Sequence, residues 1–392
     1  MKRKQMALLI VAFAALLSGT AYVIASRRDA TPVVTSPPTR EDQLVAVAEE
    51  RVAAQPDDAE TYRTLAAAFV LRAETTGNGA DYDRAWQQLE RAEQRDPGSL
   101  RLIQARAILL MSRHRFGQAQ AMAEQGLRVQ PKNTDLLGLA GDGALESGNL
   151  DAADTYYRQL VEVAPRTPSS WARLSHLLEV RGDLEQAVRL MEKSIDASYP
   201  KPLAASGFAW SRAIIGEMEA KRGRLEEARR QYKWALFKYA NHPLALEFLA
   251  DLDQWQGNLD DAEAGYRKLL ALKPDPKYKT SLADLLVRRG RTEEATRLRD
   301  EALSFYRWSV GTGNEGYLRP LATMELAAGR YQPAVELAAR DLALRPTAES
   351  RALYTSVLRA AEAAGQPVQG YAPLQEPTET DAQAARLTEA NH

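Results

Sequence analysis

Apolar residues recur three or four positions apart through most of this 392-residue chain. The pattern runs from Glu41 to about Gly365, and turns that contain glycine or proline interrupt it at intervals. Spacing of three and four residues gathers apolar side chains on one face of a helix, whereas a strand needs strict alternation. No stretch of alternating Val, Ile and Thr is present, so the pattern predicts an all-α protein.

The turns are themselves periodic. Pro97, Pro131 and Pro165 follow one another at intervals of 34 residues, and Pro200 follows 35 residues later. A glycine followed five positions later by an alanine also recurs; the pairs are Gly148 and Ala153, Gly182 and Ala187, Gly223 and Ala228, Gly257 and Ala262, Gly290 and Ala295, Gly329 and Ala334. Such a glycine ends a helix in the left-handed conformation, and such an alanine lets two helices cross closely.

These features resemble the tetratricopeptide repeat, a helix–turn–helix unit with a period of about 34 residues. Its motif W-x2-L-G-x2-Y, then A-x3-F, then P is met in part by three segments. They contain Trp171, Leu174, Leu178, Ala187, Met191 and Pro200; Leu137, Ala140, Gly141, Ala144, Ala153, Tyr157 and Pro165; and Leu249, Ala250, Ala262, Tyr266 and Pro274. The resemblance covers residues 41–365 and implies an α-solenoid of about eight repeats, stacked into one continuous core.

Two segments depart from the regular repeat. TTGNGAD predicts a loop that is about seven residues longer than usual between Phe69 and Ala85. At the other end, the segment from Thr347 to Gly365 is typical of a terminal capping helix.

The N-terminus differs from the rest of the chain. Lys2, Arg3 and Lys4 precede an apolar run within residues 1–25 that is long enough to span a bilayer, and that also fits a cleaved secretory signal. Both interpretations leave the basic end in the cytoplasm and export the remainder. We therefore expect an N-terminal apolar helix at the inner membrane with a periplasmic solenoid, or a periplasmic protein if the signal is cleaved. Residues 26–40 read as a Pro- and Thr-rich linker, and residues 366–392 as a disordered tail.

Net charge and composition limit the classes of partner and of chemistry that we expect. Lys and Arg number 51 against 52 Asp and Glu, so the net charge of -1 does not favour nucleic-acid binding. The chain has no cysteine, which excludes thiolate metal sites and thiol nucleophiles.

One stretch matches the glycine spacing of a dinucleotide-binding motif. Gly311, Gly313 and Gly316 spell G-x-G-x-x-G, but the preceding segment keeps a helical apolar spacing, so no strand feeds the turn. We interpret it as a turn between repeats. His114, His176, His242 and His392 lie far apart, and no catalytic motif is present. We therefore expect a protein that is not an enzyme and uses no cofactor or metal.

The family resemblance places the first helix of each repeat along a concave groove. The predicted groove-facing residues form a stripe that is acidic and carries two tryptophans; they are Asp135, Asp142, His176, Glu179, Trp210, Glu217, Glu247, Asp251, Trp255 and Asp284. One interpretation is a cradle for a basic, partly apolar segment, with the tryptophans available for cation–π contacts. The other is an ordinary solvated helix face with tryptophans packed between repeats.

The predicted function is a non-catalytic scaffold or co-chaperone for an envelope assembly process. Two alternatives fit the same architecture. One is a subunit that resembles the membrane-bound repeat protein of cytochrome c maturation, which holds the apoprotein. The other is a cytoplasm-facing adaptor that regulates envelope synthesis, although relatives of that kind add a cysteine-bearing metal knuckle.

Overall fold

The computed structural model describes residues 38–197 and 203–374, and these residues are helical with no strand. The helices are α1 Arg40–Ala54, α2 Ala59–Thr76, α3 Ala80–Arg95, α4 Leu100–Ser112, α5 Phe116–Val129, α6 Thr134–Glu146, α7 Leu150–Val163, α8 Pro168–Val180, α9 Leu184–Asp196, α10 Ala205–Lys221, α11 Leu225–Lys238, α12 Pro243–Gln256, α13 Leu259–Leu272, α14 Pro276–Arg288, α15 Thr292–Gly311, α16 Leu318–Ala327, α17 Tyr331–Leu344 and α18 Ala348–Ala363, with a short 3-10 turn at Glu315–Tyr317. The predicted all-α class is confirmed.

The expected N-terminal apolar helix and most of the linker lie outside the described residues. Within the described ranges, no helix is both long and apolar enough to cross a membrane. The membrane anchor therefore stays a prediction.

The helices from α2 to α17 are antiparallel pairs, and the predicted glycine–alanine signature is confirmed in six of them. The six glycines are all left-handed, with φ between 71° and 89°. The six alanines that follow five positions later are fully buried. At Gly257, for example, the left-handed residue ends α12, and Ala262 then packs α13 against it.

The chain divides into two compact units at Glu315 and Gly316. The first unit contains α1 and the seven pairs from α2/α3 to α14/α15, and the second contains the pair α16/α17 followed by α18. The eight pairs within the described residues match the predicted number of about eight.

Within the first unit, the first helices of neighbouring pairs contact each other. This holds for α2 with α4, α4 with α6, α6 with α8, and α10 with α12. Close contact between first helices places them on the inner side of the stack. Side-chain caps start several of them: the Asn133 side chain accepts the Asp135 and Leu136 N–H groups at the start of α6, and the His242 side chain accepts the Ala245 N–H group at the start of α12.

The predicted long loop in the first pair is wrong. The extra residues lengthen α2 to 18 residues, against 13 for α4, so only Gly77–Gly79 remain between α2 and α3. In the added turn, residues 72–76, Ala73 is fully buried, and Arg72 donates from Nε and Nη2 to the two oxygens of Asp81 at 2.7 and 2.8 Å, which joins this turn to α3.

That short loop lies against the far end of the same unit. The Gly77 carbonyl accepts hydrogen bonds from Ser309 Oγ at 2.5 Å and from Asn314 Nδ2 at 3.3 Å. The Gly79 N–H donates to Thr312 Oγ1 at 2.9 Å. The contact is made possible by α15, whose 20 residues carry its end beyond the 14 of α13. The G-x-G-x-x-G stretch thus comes after a helix and not after a strand, as expected. Its first part contacts the loop between α2 and α3, so the two ends of the first unit meet.

The second unit has its own core around Ala334, Val335 and Tyr354. Val368, Tyr371 and Leu374 pack against that core, and the Tyr354 hydroxyl donates to the Ala372 carbonyl at 2.9 Å. The first residues of the predicted tail, up to Leu374, therefore contact α17 and α18; the later ones lie outside the described residues.

Candidate partner-binding groove

The predicted stripe lies on the inner helices α6, α8, α10, α12 and α14, and most of its carboxylates are bound by the protein itself. Asp142 on α6 illustrates the arrangement. Arg173 on α8 donates from Nε and Nη2 to the two oxygens of Asp142 at 2.8 and 3.0 Å. The Tyr157 hydroxyl donates to the same carboxylate at 2.8 Å, since burial raises the pKa of Tyr157 and keeps it protonated.

The tyrosine contact recurs at a fixed spacing. Tyr266 donates to Asp251 at 2.5 Å, and both tyrosines lie 15 residues after their acid. The backbone makes room for the ring in the first of these repeats, because a Cβ on Gly141 would lie 2.3 Å from Tyr157. These carboxylates therefore fix the two helices of one repeat against each other.

A cluster of four ionisable side chains connects α8 with α10. His176 Nδ1 lies 3.2 Å from Glu179 Oε2, Lys221 Nζ lies 2.8 Å from Glu217, and Lys221 also binds Glu179. Burial works to raise the pKa of Glu179, but its bonds to His176 and Lys221 outweigh burial and hold that pKa below the usual value. For Glu217, burial dominates and raises the pKa.

Stripe carboxylates form ion pairs with cations of the protein in the later repeats as well. Lys277 on α14 donates to Glu247 on α12 at 2.7 Å, and Arg299 on α15 donates to Asp284 at 2.9 Å. Glu247 is buried, which raises its pKa to about 7 in spite of the neighbouring ammonium of Lys277.

The negative charge of the predicted stripe is offset by the protein itself at Asp142, Glu179, Glu217, Glu247 and Asp284. Each of them has a cation of the protein within ion-pair distance. Sequence reasoning missed Arg173, Lys221 and Arg299 as the partners. A usable signal was present for the first, because Arg173 follows Asp142 by 31 residues, close to one repeat.

The remaining stripe residues face outward to different degrees. Asp135 is exposed and accepts from Gln104 Nε2 at 2.9 Å, while Trp210 is half-buried against the core of α10 and α11. Trp255 is 63% exposed, and Asp251, one turn earlier on α12, is exposed as well. Val180 was not predicted as part of the stripe; it lies one turn after His176 at the end of α8 and is 50% exposed. The groove therefore offers apolar side chains beside carboxylates that already have protein partners.

Within the described residues, no three His, Asp or Glu side chains are gathered as they would be to hold a metal ion. The interactions that the structure shows along the stripe are ion pairs and tyrosine hydrogen bonds, with exposed apolar side chains beside them.

Residues 139–201 match a family model described as Tetratricopeptide repeat. The matched segment contains α7, α8 and α9, and the pairs on its C-terminal side repeat its glycine and alanine positions, whereas α4/α5 on its N-terminal side has His114 in the left-handed position. The chain therefore contains tetratricopeptide repeats.

Its curated relatives include Cellulose synthase 1 operon protein C of Komagataeibacter xylinus, 24% identical over 179 residues, which are 44% of this chain and 13% of that protein. Cellulose synthase operon protein C of Xanthomonas axonopodis pv. citri is 29% identical over 189 residues, 47% of this chain and 12% of the relative. The chain thus matches about an eighth of the length of these relatives. Among solved structures, the APC/C hetero-tetramer Cut9-Hcn1 is similar over 82% of this chain and 60% of its own, with 14% identity and a TM-score of 0.46.

Proposed function

We propose that this protein is a non-catalytic scaffold or co-chaperone that holds a segment of a partner protein against the inner face of its first helices. The observation that carries the proposal is the exposure of Trp255 on that face, 63% of an aromatic side chain beside the exposed Asp251. Exposed aromatic side chains in a concave surface supply much of the energy of protein recognition.

The partner segment in this proposal is apolar with a basic residue. Separate apolar side chains of the segment cover Trp255 and Val180, which lie two repeats apart, and a Lys or Arg lies beside Asp251 and over the Trp255 ring. The ion-paired carboxylates contribute little to affinity, because their own cations would have to be displaced first. Salt should therefore weaken binding only modestly.

The proposed setting is an assembly process of the cell envelope. Two considerations support it: the basic and then apolar N-terminal sequence, and the names of the relatives, which belong to cellulose synthase operons. We place the solenoid on the periplasmic side of the inner membrane. A C-terminal alkaline phosphatase fusion should be active, and an inactive fusion would contradict this location.

The groove itself is tested by cross-linking in cells. The full-length chain carries a photo-cross-linking amino acid in place of Val180, and Trp255 is either retained or changed to alanine. We expect a discrete adduct that drops about tenfold with Trp255→Ala. Trp308→Ala, at an exposed tryptophan on α15, is the matched control and should leave the adduct unchanged. An adduct that both substitutions leave intact would place the partner elsewhere.

A further inference from the structure

Aromatic side chains are exposed at the carboxyl end of α11, on the side of the repeats away from the groove. Phe237 is 81% exposed, Trp234 is 46% exposed and Tyr239 is 43% exposed. The helix packs on α10 through Ala228, Tyr232 and Ala235, so these three aromatic residues are not needed for its core. Exposed aromatic clusters of this kind mark interaction surfaces.

Two contacts hold this cluster in place. Trp234 packs edge-to-face on Phe208 with ring centroids 5.7 Å apart, and the Arg212 guanidinium lies 4.0 Å from the centre of the Trp234 ring. Phe237 lies one turn further along α11 and projects from this supported base. An aromatic ring that projects from a surface, and does not line a pocket, is better suited to insertion into a lipid bilayer than to binding a peptide.

The same edge of the first unit is basic. Antiparallel pairs stacked in register bring the ends of all second helices to one edge. Exposed cations at the ends of α5 and α11, and in the turns that follow α5 and α7, form what we term the basic edge: Arg128, Lys132, Arg166, Lys233 and Lys238. None of them forms an ion pair with a described residue, whereas the groove cations do. Glu162, Glu192 and Asp196 are exposed acids on this edge, and α9 adds the exposed Lys193; Val129, 71% exposed, adds an apolar side chain.

We propose that the basic edge docks on an anionic lipid bilayer, with Phe237 inserted below the headgroups and Trp234 and Tyr239 at their level. Interleaved aromatic and basic residues are the composition that membrane interfaces select. Lysines near an anionic surface add attraction that sums over the edge and fades at high salt. The basic edge is separate from the groove, so a partner protein can bind in the groove while the basic edge is bound to the bilayer.

The test uses a local probe, so that the N-terminal apolar segment cannot produce the signal by itself. The full-length chain has no cysteine, which allows an environment-sensitive fluorophore to be attached at a single introduced cysteine. Ala240→Cys places the probe next to Phe237, and Glu226→Cys places it at the opposite end of the same helix as the matched control; both positions are exposed. The vesicles contain phosphatidylcholine alone or with about one third phosphatidylglycerol.

With anionic vesicles we expect a blue shift and quenching by nitroxide lipids at position 240 but not at position 226. Adding Phe237→Ser to the Ala240→Cys chain should reduce the response at least about tenfold. Lys233→Glu with Lys238→Glu should abolish the preference for phosphatidylglycerol. Vesicle-bound protein with no response at position 240, or with equal responses at both positions, would overturn the proposal. A response to poly-glutamate in place of vesicles would overturn it too, and would assign the edge to an acidic protein partner.

Discussion

Arg173 on α8 holds Asp142 on α6 through two parallel hydrogen bonds, 2.8 and 3.0 Å long, across the boundary between two repeats. Both side chains are largely buried, at 13% and 19% exposure. Paired nitrogen and oxygen atoms of this geometry fix direction as well as distance. The ion pair therefore sets the register of α8 on α6, and the groove face is ordered by the packing of the repeats.

Breaking that pair should destabilise the two repeats that it joins. Arg173→Met leaves a buried carboxylate with only Tyr157 and should cost about 2–4 kcal/mol, and a double-mutant cycle with Asp142→Asn should give a coupling of about 1–3 kcal/mol. Native-state hydrogen exchange of α6 and α8 amides measures both. The exposed pair of Arg189 and Glu185 is the control, for which we expect a coupling below about 0.5 kcal/mol. Equal couplings would contradict the role given to Arg173.

Gly141 should tolerate no side chain. A Cβ there would lie 2.3 Å from the Tyr157 ring, which is fully buried, so Gly141→Ala should lower the free energy of unfolding by about 1–3 kcal/mol. Gly117→Ala is the control, because its Cβ would meet only Ser147 Oγ at 3.9 Å and alanine favours a helix. Thermal unfolding followed by far-UV circular dichroism compares them. A Gly141→Ala chain as stable as Gly117→Ala would show that the ring can move aside.

The contact between the two ends of the first unit should open when Gly79 is changed. A Cβ on Gly79 would lie 2.3 Å from the Asn314 backbone nitrogen, and backbone cannot move aside as a side chain can. Spin labels at Thr75→Cys and Gly311→Cys report the separation. We expect one narrow distance distribution in the parent chain and a broader, longer one with Gly79→Ala. An unchanged distribution would mean that the closure does not depend on this contact.

Acid should weaken the fifth and sixth repeats through His242. Burial lowers the pKa of His242 to about 4, and its Nδ1 accepts the Ala245 N–H as a helix cap. The unfolded chain therefore binds the proton first, so stability is present above about pH 6.5 and is lost as pH falls towards 4, by about 1–3 kcal/mol. His242→Asn keeps a capping side chain and should remove this loss in hydrogen exchange of α12 measured across that range. His114→Asn, in the turn after α4, should leave the loss in place.

Much of the fold was predictable from local patterns. Gly257 and Ala262 sit five residues apart in one sequence segment, and each needs only its own turn or helix crossing to be explained, so the signature could be interpreted without coordinates. The longer α2 was not predictable in this way. TTGNGAD has the composition of a loop, and burial of Ala73 together with the bonds between Arg72 and Asp81 decided in favour of helix.

The groove was predictable only in part. Helical spacing identified the inner face, and Trp255 and Asp251 are exposed there as a stripe residue should be. The state of the carboxylates was not predictable, because Lys221 binds Glu179 from 42 residues away and no local pattern encodes that distance.

The sequence by itself determined the repeat, its period and the end of the first helix in the six pairs that carry the glycine, because these depend on residues within one turn or one helix pair. Only the tertiary structure decided that the acidic stripe is neutralised from within and that Ser309 meets Gly77 across 232 residues. The physical reason is the stacking of the repeats. A small rotation at each interface accumulates along the solenoid, so the positions brought together depend on the sum of all interfaces and on no single segment.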